Sequence, residues 1–438
     1  MHLSVSPTDT GSSSRERAIL VGIELGAGDE ISCEDSLSEL QALAQSAGAV
    51  VASTVRQKLK APDPRTFIGR GKAAEVRMIA ESERASLAIF DDALTPAQAR
   101  NLENELKIRV IDRSQLILDI FAQRARTLEG KLQVEIAQLS YLQPRLTRQW
   151  THLSRVRGGG SGAGMVGTRG PGETQLEVDR RKVRERLARL RERLREVVRT
   201  RTIQRRRRIE VPYPTVALVG YTNSGKSTLM NALTAAQVEA ADRPFSTLDP
   251  TVRRLKLPGH MSVILVDTVG FIHRLPHMLI ESFKATLEEV RTANLLLHVV
   301  DASSPLAPER IRIVDRVLEE IGAGATPRIL VMNKTDMLPE GVHPVAGLDG
   351  VAVSALTGKG LGELQRAVAD FFKSSREEVA VTLSAARGDL VAMARRDGEV
   401  LSEEYRNGQV MMRALVSRPV AGRLRKAAIS ARGTSGTL

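Results

Sequence analysis

The segment GYTNSGKST (residues 220–228) combines glycines, a lysine and hydroxyl side chains in a spacing that can hold phosphate. It follows the apolar run TVALV and precedes a helical pattern, which is the context that the P-loop pattern G-x-x-x-x-G-K-[ST] requires. The glycines let successive backbone N–H groups point at phosphate oxygens, and the N-terminus of the next helix adds partial positive charge. We therefore predict a nucleotide phosphate site made of Gly220, Tyr221, Thr222, Asn223, Ser224, Gly225, Lys226 and Ser227.

Two side chains of this segment have defined roles if it binds a nucleotide. The Lys226 ammonium reaches the β- and γ-phosphates, and the Ser227 hydroxyl ligates Mg²⁺. The alternative for the same residues is an ordinary glycine turn with an exposed lysine. Downstream motifs that belong to a guanine-nucleotide site argue against that alternative.

The tetrapeptide DTVG (residues 267–270) ends the next long apolar strand. Asp267 lies where an acidic partner of Mg²⁺ belongs, and the N–H of Gly270 can bind a γ-phosphate. Thr268 and Val269 complete this candidate contact set. In many P-loop GTPases the next residue is a glutamine that orients the attacking water. Here it is Phe271, which cannot hydrogen-bond water, so we expect slow intrinsic hydrolysis, and the group that orients the water stays unknown.

Two further motifs at strand ends predict selectivity for guanine. In NKTD, the Asp336 carboxylate can accept hydrogen bonds from guanine N1–H and the exocyclic amine, and adenine offers neither. A wrong base leaves this carboxylate unpaired, which makes the selectivity large. In SAL, the backbone N–H of Ala355 can meet guanine O6. The predicted base contacts are Asn333, Lys334, Thr335, Asp336, Ser354, Ala355 and Leu356.

Between the phosphate segment and DTVG lies RPFSTLDPTVRR (residues 243–254), a polar stretch that contains proline. Such a loop is suited to become ordered around a γ-phosphate. Thr247 and Thr251 each carry a hydroxyl able to ligate Mg²⁺, and their spacing alone does not choose between them. The candidate nucleotide contacts from this loop are Phe245, Ser246, Thr247, Leu248 and Asp249.

The elements that must position these motifs form an alternating strand–helix pattern. Near-continuous apolar runs are typical of strands buried on both faces, and helices between them indicate a doubly wound, mostly parallel sheet. We therefore predict an α/β P-loop GTPase domain over residues 214–375. Its strands are expected at residues 215–220, 262–267, 294–301, 327–333 and 350–355.

An α/β subdomain and a pair of long helices are predicted upstream of this domain. The subdomain has expected strands at 18–25, 87–92 and 108–112 and helices at 36–48 and 95–106, the second with Thr95 as N-cap and Pro96 at its first position. A long helical segment from about 113 to 146 follows, with an apolar stripe of Leu128, Leu132, Ile136, Leu139 and Leu142.

A glycine-rich run separates this segment from a second long helix with coiled-coil spacing, which carries Leu176, Val183, Leu187, Leu190, Leu194 and Val197. Together the two helices predict an antiparallel helical hairpin with a glycine-rich tip at 157–172. The expected organisation is a tail (1–16), the α/β subdomain (17–112), the hairpin (113–210), the GTPase domain, a small α+β domain (378–428) and a second tail (429–438).

The placement of charge indicates a polyanionic partner. The chain has a net charge of +13, and residues 180–210 alone contain fifteen Lys and Arg against four Glu. A solvated charged helix is the alternative, but so one-signed an imbalance favours nucleic acid. Aromatic residues make up only 3% of the chain, which disfavours reading of single strands by base stacking.

Composition also limits the setting in which the protein works. With Cys33 as the only cysteine, neither a disulfide framework nor a cysteine-based metal site is possible. No apolar run approaches the roughly 20 residues of a membrane span, and the first residues lack the apolar core of a signal peptide. We expect a cytoplasmic protein.

Taken together, these motifs resemble those of the HflX family of ribosome-associated GTPases over roughly residues 17–370. The resemblance rests on FIGRGK (67–72), the helical segment 112–139, GTRGPGETQLE (167–177), GYTNSGKSTL, FSTLDPT (245–251), DTVGFI (267–272) and ESFKATLEEV (281–290). This resemblance selects Thr247 as the Mg²⁺ ligand of the loop RPFSTLDPTVRR (243–254), which we call the switch loop. It also implies binding to the large ribosomal subunit, with the hairpin tip directed toward the peptidyl-transferase region, and a role in splitting or rescuing ribosomes.

Several alternatives stay open at this stage. GTP could act as a conformational lock in a non-enzymatic ribosome-binding or assembly module, a function that Phe271 keeps in play. An ATP-using RNA remodeller is disfavoured by Asp336. Relatives in the family can bind ATP through the N-terminal domain, but no second phosphate-binding pattern precedes residue 214. His273 and His277 are more plausible as ordinary loop residues than as catalytic groups, and we expect a monomer off the ribosome.

Overall fold

The computed structural model describes residues 16–25, 31–146, 171–208, 213–234, 244–245, 249–259, 261–274, 284–339, 349–374, 376–416 and 418–428. The chain forms two compact units. The first comprises Met1–Val197, Ala241–Asp249 and Ile272–Lys284, and the second comprises Val198–Ala240, Pro250–Phe271 and Ala285–Leu438. Segments Ala241–Asp249 and Ile272–Lys284 thus belong to the first unit, although the chain on both sides of each segment belongs to the second.

The first unit is built on a four-stranded parallel sheet in the order β2-β1-β3-β4. Its core joins buried residues of β1 and β3 to the adjacent helices, with Ile19, Phe90 and Leu102 fully buried. The predicted α/β subdomain is confirmed. Its elements in chain order are β1 (Arg17–Glu24), α1 (Cys33–Ser46), β2 (Val50–Lys58), α2 (Arg70–Ser82), β3 (Leu87–Phe90), α3 (Pro96–Leu106) and β4 (Arg109–Asp112).

Side-chain caps determine where two of these helices begin. The Thr95 side chain accepts a hydrogen bond from the Gln98 backbone N–H, and the Gln98 side-chain oxygen accepts one from the Thr95 backbone N–H, so the predicted N-cap is confirmed as a full capping box. The Ser32 side chain accepts from the Asp35 N–H at the start of α1. Such caps satisfy backbone donors that the helix leaves unpaired.

The prediction of one continuous helix from 113 to 146 is wrong, because this segment forms two helices. The first is α4 (Arg113–Arg124) and the second is α5 (Leu128–Leu146). Ala125 has an extended backbone, and the carbonyl of Thr127 accepts the first hydrogen bond of the new helix, from Lys131. In the predicted stripe, Leu132 and Ile136 are buried, but Leu128 and Leu142 are 50% and 42% exposed.

The second long helix is α6 (Pro171–Arg208). From Val183 onward, the side chains of its apolar stripe are partly buried, and Leu187 is buried, as the coiled-coil spacing predicts. Arg186 on α6 forms an ion pair with Glu135 on α5, which brings these helices together. Most of the glycine-rich tip falls within 147–170, outside the described residues, so the tip and the antiparallel arrangement stay predictions.

The second unit contains a six-stranded sheet in the order β10-β9-β8-β5-β7-β6, parallel except for β6. The mostly parallel sheet predicted for the P-loop GTPase domain is confirmed, but its antiparallel edge strand β6 (Thr251–Lys256) begins inside the segment 243–254 that was predicted as a loop. Residues 216–219 of its central strand are fully buried. The elements are β5 (Thr215–Val219), α7 (Lys226–Thr234), β6 (Thr251–Lys256), β7 (Ser262–Asp267), α8 (Lys284–Arg291), β8 (Leu295–Asp301), α9 (Ala307–Glu320), β9 (Arg328–Asn333), a 3₁₀ turn (Thr335–Met337), β10 (Val351–Ala352) and α10 (Leu361–Ser374).

The last described elements form an antiparallel three-stranded sheet with two helices. Alternate residues of its central strand are buried, including Val410 and Met412, and pack with apolar residues of both helices. The elements are β11 (Glu377–Ser384), α11 (Gly388–Asp397), β12 (Glu399–Arg406), β13 (Gln409–Val416) and α12 (Arg418–Ala427). Within the described part of the chain, no helix is long and apolar enough to cross a membrane.

Candidate functional site

The loop between β5 and α7 has a backbone that requires its glycines. Gly220 and Gly225 have φ angles of 150° and 90°, in the region that favours glycine. A Cβ at Gly220 would lie 2.2 Å from the Val299 carbonyl oxygen, and one at Gly225 would lie 2.2 Å from the Asn333 side-chain nitrogen. The loop can therefore turn tightly enough for its N–H groups to surround an anion. An ordinary exposed turn would not need this close packing.

Lys226 is buried inside this loop. Its ammonium donates hydrogen bonds to the carbonyl oxygens of Gly220 (3.1 Å) and Tyr221 (2.8 Å). Burial lowers the pKa of Lys226 to about 8, partly offset by the negative charge of Asp267. The alternative of an exposed lysine is therefore wrong. A phosphate placed here would stabilise the charged amine.

Ser227 and Asp267 bring two oxygen ligands together at the ends of α7 and β7. The Ser227 hydroxyl donates to one Asp267 carboxylate oxygen at 2.6 Å, and both residues are buried. Hydroxyl and carboxylate oxygens are hard ligands that suit Mg²⁺, so the residues present fit this ion. The neighbouring Thr268 hydroxyl donates to the Leu218 carbonyl at 2.6 Å, which ties the end of β7 to β5. Thr247 lies outside the described residues.

The glycine of DTVG touches the phosphate loop. A Cβ at Gly270 would lie 2.9 Å from the Thr222 Cα and 3.0 Å from the Lys226 Nζ, so only glycine fits without displacing them. The next residue, Phe271, forms a two-way backbone bridge with the loop: its N–H donates to Gly220 (3.1 Å) and its carbonyl accepts from Thr222 (2.7 Å). Its ring is buried, with 2% exposed. Phe271 therefore acts as a structural residue.

The candidate base motifs NKTD and SAL are linked to each other and to the phosphate loop. Asn333 donates to the Ser224 carbonyl (2.9 Å) and accepts from the Ala355 N–H (3.0 Å). The Ser354 hydroxyl donates to Asp336 at 2.5 Å. This network places the two motifs side by side, as the prediction of a guanine site requires. Asp336 itself is exposed, as is Leu356, and Thr335 begins the 3₁₀ turn.

Asp301, at the end of β8, belongs to this site although the sequence reasoning did not assign it a role. Its carboxylate pairs with the Lys334 ammonium at 2.8 Å. Burial alone raises the pKa of Asp301, but hydrogen bonds from Lys334 and Ser303 and the lysine charge lower it overall. Lys334 has a left-handed backbone with φ 64°, and the ion pair holds its side chain. The sequence signal that could have identified Asp301 is its position as an acidic residue at the end of an apolar strand.

Two described residues of the switch loop, Phe245 and Asp249, contact α4 and α5, which belong to the same unit. The Phe245 ring packs edge-on against Phe121, with centroids 4.6 Å apart. The Asp249 carboxylate accepts hydrogen bonds from the backbone N–H groups of Arg126 (3.0 Å) and Thr127 (2.9 Å). Ser246, Thr247 and Leu248 lie outside the described residues. Nucleotide contacts from Phe245–Asp249 therefore stay a prediction.

The segment after Phe271 also contributes a residue to the first unit. Arg274 forms ion pairs with Asp92 and, at 3.8 Å, with Asp91, at the end of β3. Sequence reasoning singled out the two histidines here and missed Arg274. His273 is described beside it, and His277 lies outside the described residues.

Three family profiles match successive parts of the chain between residues 34 and 334. Residues 34–122 match the family profile of the GTP-binding GTPase N-terminal region, residues 124–208 that of the GTP-binding GTPase middle region, and residues 215–334 that of the 50S ribosome-binding GTPase. These ranges contain most of the α/β subdomain, helices α5 and α6, the phosphate loop and DTVG, and the third range ends inside NKTD.

Full-length relatives support the same assignment. GTPase HflX of Caldanaerobacter subterraneus subsp. tengcongensis is 45% identical over 95% of this chain and 94% of its own length. GTPase HflX of Escherichia coli is 49% identical over 81% of this chain and 82% of its own. With the phosphate loop, the buried Lys226 and the linked NKTD and SAL motifs already in place, these similarities show that the chain belongs to the HflX family of GTPases.

Proposed function

We propose that this GTPase binds the large ribosomal subunit and that the subunit accelerates its hydrolysis of GTP. The observation that carries the proposal is the position of Phe271. Its ring is buried and both its backbone polar groups are bonded to the phosphate loop. The residue after DTVG therefore supplies no group that orients water, and a partner that adds or rearranges such a group would complete the site.

The chain's own residues perform the other tasks of the reaction. The loop N–H groups and Lys226 hold the phosphates, Gly270 contacts the γ-phosphate, and Asp336 with the Ala355 N–H selects guanine. Ser227 and Thr247 would ligate Mg²⁺, with Asp267 accepting the Ser227 hydroxyl hydrogen bond at 2.6 Å. When bound, Mg²⁺ neutralises charge on the β- and γ-phosphate oxygens.

The exposed arginines of α6 support an RNA partner. Arg184, Arg189, Arg191 and Arg193 are exposed along this helix, where lysines and arginines outnumber acidic residues. Contacts of this kind with RNA phosphates release counterions, so the binding should weaken steeply with salt. Shape-directed binding to ribosomal RNA fits this surface better than sequence reading. The resemblance to the HflX family further implies that the hairpin tip is directed toward the peptidyl-transferase region. In this proposal the GTPase cycle splits or rescues ribosomes in the cytoplasm, and the free protein is a monomer.

Sedimentation with purified ribosomal subunits tests the binding. The protein with a non-hydrolysable GTP analogue should pellet with large subunits and not with small subunits. A double variant, Arg189→Glu with Arg193→Glu, should weaken this binding and reduce its salt dependence. The matched control places two Glu on Arg77 of α2, which is exposed, and Arg100 of α3, which is partly exposed. Equal loss in both variants, or no preference for the large subunit, contradicts the proposal.

A second candidate function is a binding module in which GTP locks a conformation, and Phe271 is the observation that favours it. The two functions differ in turnover. Tight, GTP-dependent binding to large subunits without stimulated hydrolysis would identify the lock. Incubation with intact ribosomes, followed by separation of the subunits on a gradient, tests the splitting role.

A further inference from the structure

The carboxylate of Asp249 occupies the break between helices α4 and α5. One oxygen accepts hydrogen bonds from the backbone N–H groups of Arg126 (3.0 Å) and Thr127 (2.9 Å), and the other accepts from the Thr127 hydroxyl. Hydrogen bonds to an ionised acceptor are about twice as strong as neutral ones, and the start of a helix favours negative charge. These three bonds hold the switch loop against the hairpin-forming helix.

The start of α5 is shaped to receive this carboxylate. Thr127 is the N-cap residue: its hydroxyl oxygen accepts from the Gly130 N–H at 3.0 Å while its hydrogen is donated to Asp249. Gly130 lies in the first turn of α5 and is buried. A Cβ there would lie 2.5 Å from an Asp249 carboxylate oxygen. A glycine inside a helix costs about 1 kcal/mol relative to alanine, and here the missing Cβ leaves the space that the carboxylate fills.

A second contact anchors the same loop a few residues earlier. The Phe245 ring is buried, with 2% exposed, and packs against Phe121 of α4. The Ser46 hydroxyl at the end of α1 donates to the Pro244 carbonyl at 3.3 Å. The loop is therefore fixed to the first unit both before and after Thr247, the proposed Mg²⁺ ligand.

Covalent continuity connects Asp249 to the Mg²⁺ ligands of the second unit. Two residues after Asp249, Thr251 pairs with Asp267 across β6 and β7, and Asp267 accepts the Ser227 hydroxyl. Two residues before Asp249 is Thr247. Because two residues span at most about 7 Å, a displacement of Thr247 acts on the Asp249 contact.

We propose that the N-terminus of α5 is an intramolecular docking site for the switch loop, and that Thr127 and Gly130 are the positioning residues that build it. The site holds Asp249 when the nucleotide lacks a γ-phosphate. GTP with Mg²⁺ recruits Thr247 and draws Asp249 away from α5. The state of the nucleotide thereby changes the capping of a helix in the predicted ribosome-binding hairpin. This inference rests on the proposed role of Thr247 as a Mg²⁺ ligand.

Hydrogen–deuterium exchange of the full chain tests this release without ribosomes. The amides of Arg126 and Thr127 should exchange slowly with GDP and roughly tenfold faster with a non-hydrolysable GTP analogue and Mg²⁺, because their acceptor has moved away. The capping amides of α3, including that of Gln98, serve as an internal control and should not change. Equal exchange of Arg126 and Thr127 in both nucleotide states would overturn the proposal.

The variant Gly130→Ala weakens docking without altering any residue assigned to the nucleotide. The ratio of its affinities for the GTP analogue and GDP should rise roughly tenfold, since only the docked state loses a contact, and its hydrolysis without ribosomes should also rise. Gly71→Ala, in α2, is the control, because a Cβ at Gly71 meets nothing within 4 Å. An unchanged ratio for Gly130→Ala contradicts the docking site.

A second substitution covers the case in which Gly130→Ala does not fold. Thr127→Val keeps the size of the side chain but removes the hydroxyl that donates to Asp249, and it should raise the same affinity ratio. If it does not, the docking proposal fails. The two proposals can fail separately: loss of ribosome binding or stimulation contradicts the proposed function, whereas an unchanged nucleotide ratio in a protein that binds and hydrolyses GTP contradicts only the docking site.

Discussion

The carbonyl oxygen of Phe271 accepts a hydrogen bond from the backbone N–H of Thr222, with the two atoms 2.7 Å apart. The bond joins the end of DTVG to the phosphate loop, and a second bond from the Phe271 N–H to Gly220 completes the bridge. Gly270 is thereby held against Thr222 and Lys226, while the Phe271 ring is buried. A residue whose side chain is fixed in the core is poorly placed to assist a water molecule.

Replacing Phe271 with glutamine should therefore fail to accelerate hydrolysis. The amide would be buried, and an unsatisfied buried polar group costs about 1–3 kcal/mol. We expect Phe271→Gln to lower the free energy of unfolding in urea by about that amount, with no gain in GTP turnover. Phe271→Leu is the control for lost ring volume. A large rise in turnover for the glutamine variant alone would show that this side chain can reach the water.

Binding of nucleotide should depend on pH through Lys226. Its pKa is lowered to about 8 by burial, and bound phosphates favour the charged amine and raise it. Above pH 8 binding must therefore take up a proton, so affinity for GTP should fall as pH rises, by up to about tenfold per unit. Calorimetry in buffers of different ionisation enthalpy measures the uptake. Lys226→Arg stays charged over this range and should lose the effect, and an identical pH profile in both proteins would contradict this assignment.

The choice of base should change when the Asp336 carboxylate is replaced. Asp336→Asn removes an acceptor for guanine N1–H and the exocyclic amine, so binding of GDP should weaken by at least about tenfold, equivalent to about 1.4 kcal/mol. Binding of xanthosine diphosphate should improve, because xanthine presents a carbonyl that the new amide can bind. Competition for a fluorescent nucleotide measures both affinities. Unchanged GDP affinity would remove Asp336 from the base site.

The stability of the first unit should depend on a buried ion pair at the end of β3. The Asp91 carboxylate accepts from the Arg113 guanidinium (2.6 Å) and the Ser36 hydroxyl (2.6 Å), and Asp91 and Arg113 are almost fully buried. Arg113→Met leaves a buried charge without its main partner and should cost about 3–5 kcal/mol in unfolding free energy.

The matched control for this prediction is Arg77→Met on α2. Arg77 pairs with Glu81 at the surface, where both side chains are about half exposed, and such pairs contribute less than about 1 kcal/mol. Denaturation in urea compares the two variants. Similar losses in both would contradict the importance of the buried pair.

Sequence reasoning placed the turn before α7 and the strand ends that carry the candidate phosphate and base motifs, because this geometry is local. A glycine spacing sets the turn before α7, and the ends of parallel strands meet at one edge of a sheet. The same holds for the cap at Thr95, which needs only Gln98 three residues away. Strand β2 was missed because it lies at the edge of its sheet, and Val55 is its only buried residue.

The features that sequence reasoning missed depend on distant partners. The break between α4 and α5 is stabilised by Asp249, which lies 122 residues beyond Thr127. Arg274 pairs with Asp92 across 182 residues, and Lys334 pairs with Asp301 on another strand. A helical period cannot reveal that a carboxylate from another segment will cap a new helix in its middle. Such pairings require the three-dimensional structure.

Turnover of GTP by the purified protein, alone and with added large ribosomal subunits, tests the central claim most directly. Small subunits and the Lys226→Ala variant provide the background rates. Slow hydrolysis alone and strong, saturable stimulation by large subunits are predicted, because Phe271, the residue after DTVG, is buried and supplies no side-chain group that orients water. Fast hydrolysis alone with no stimulation by large subunits would contradict the account.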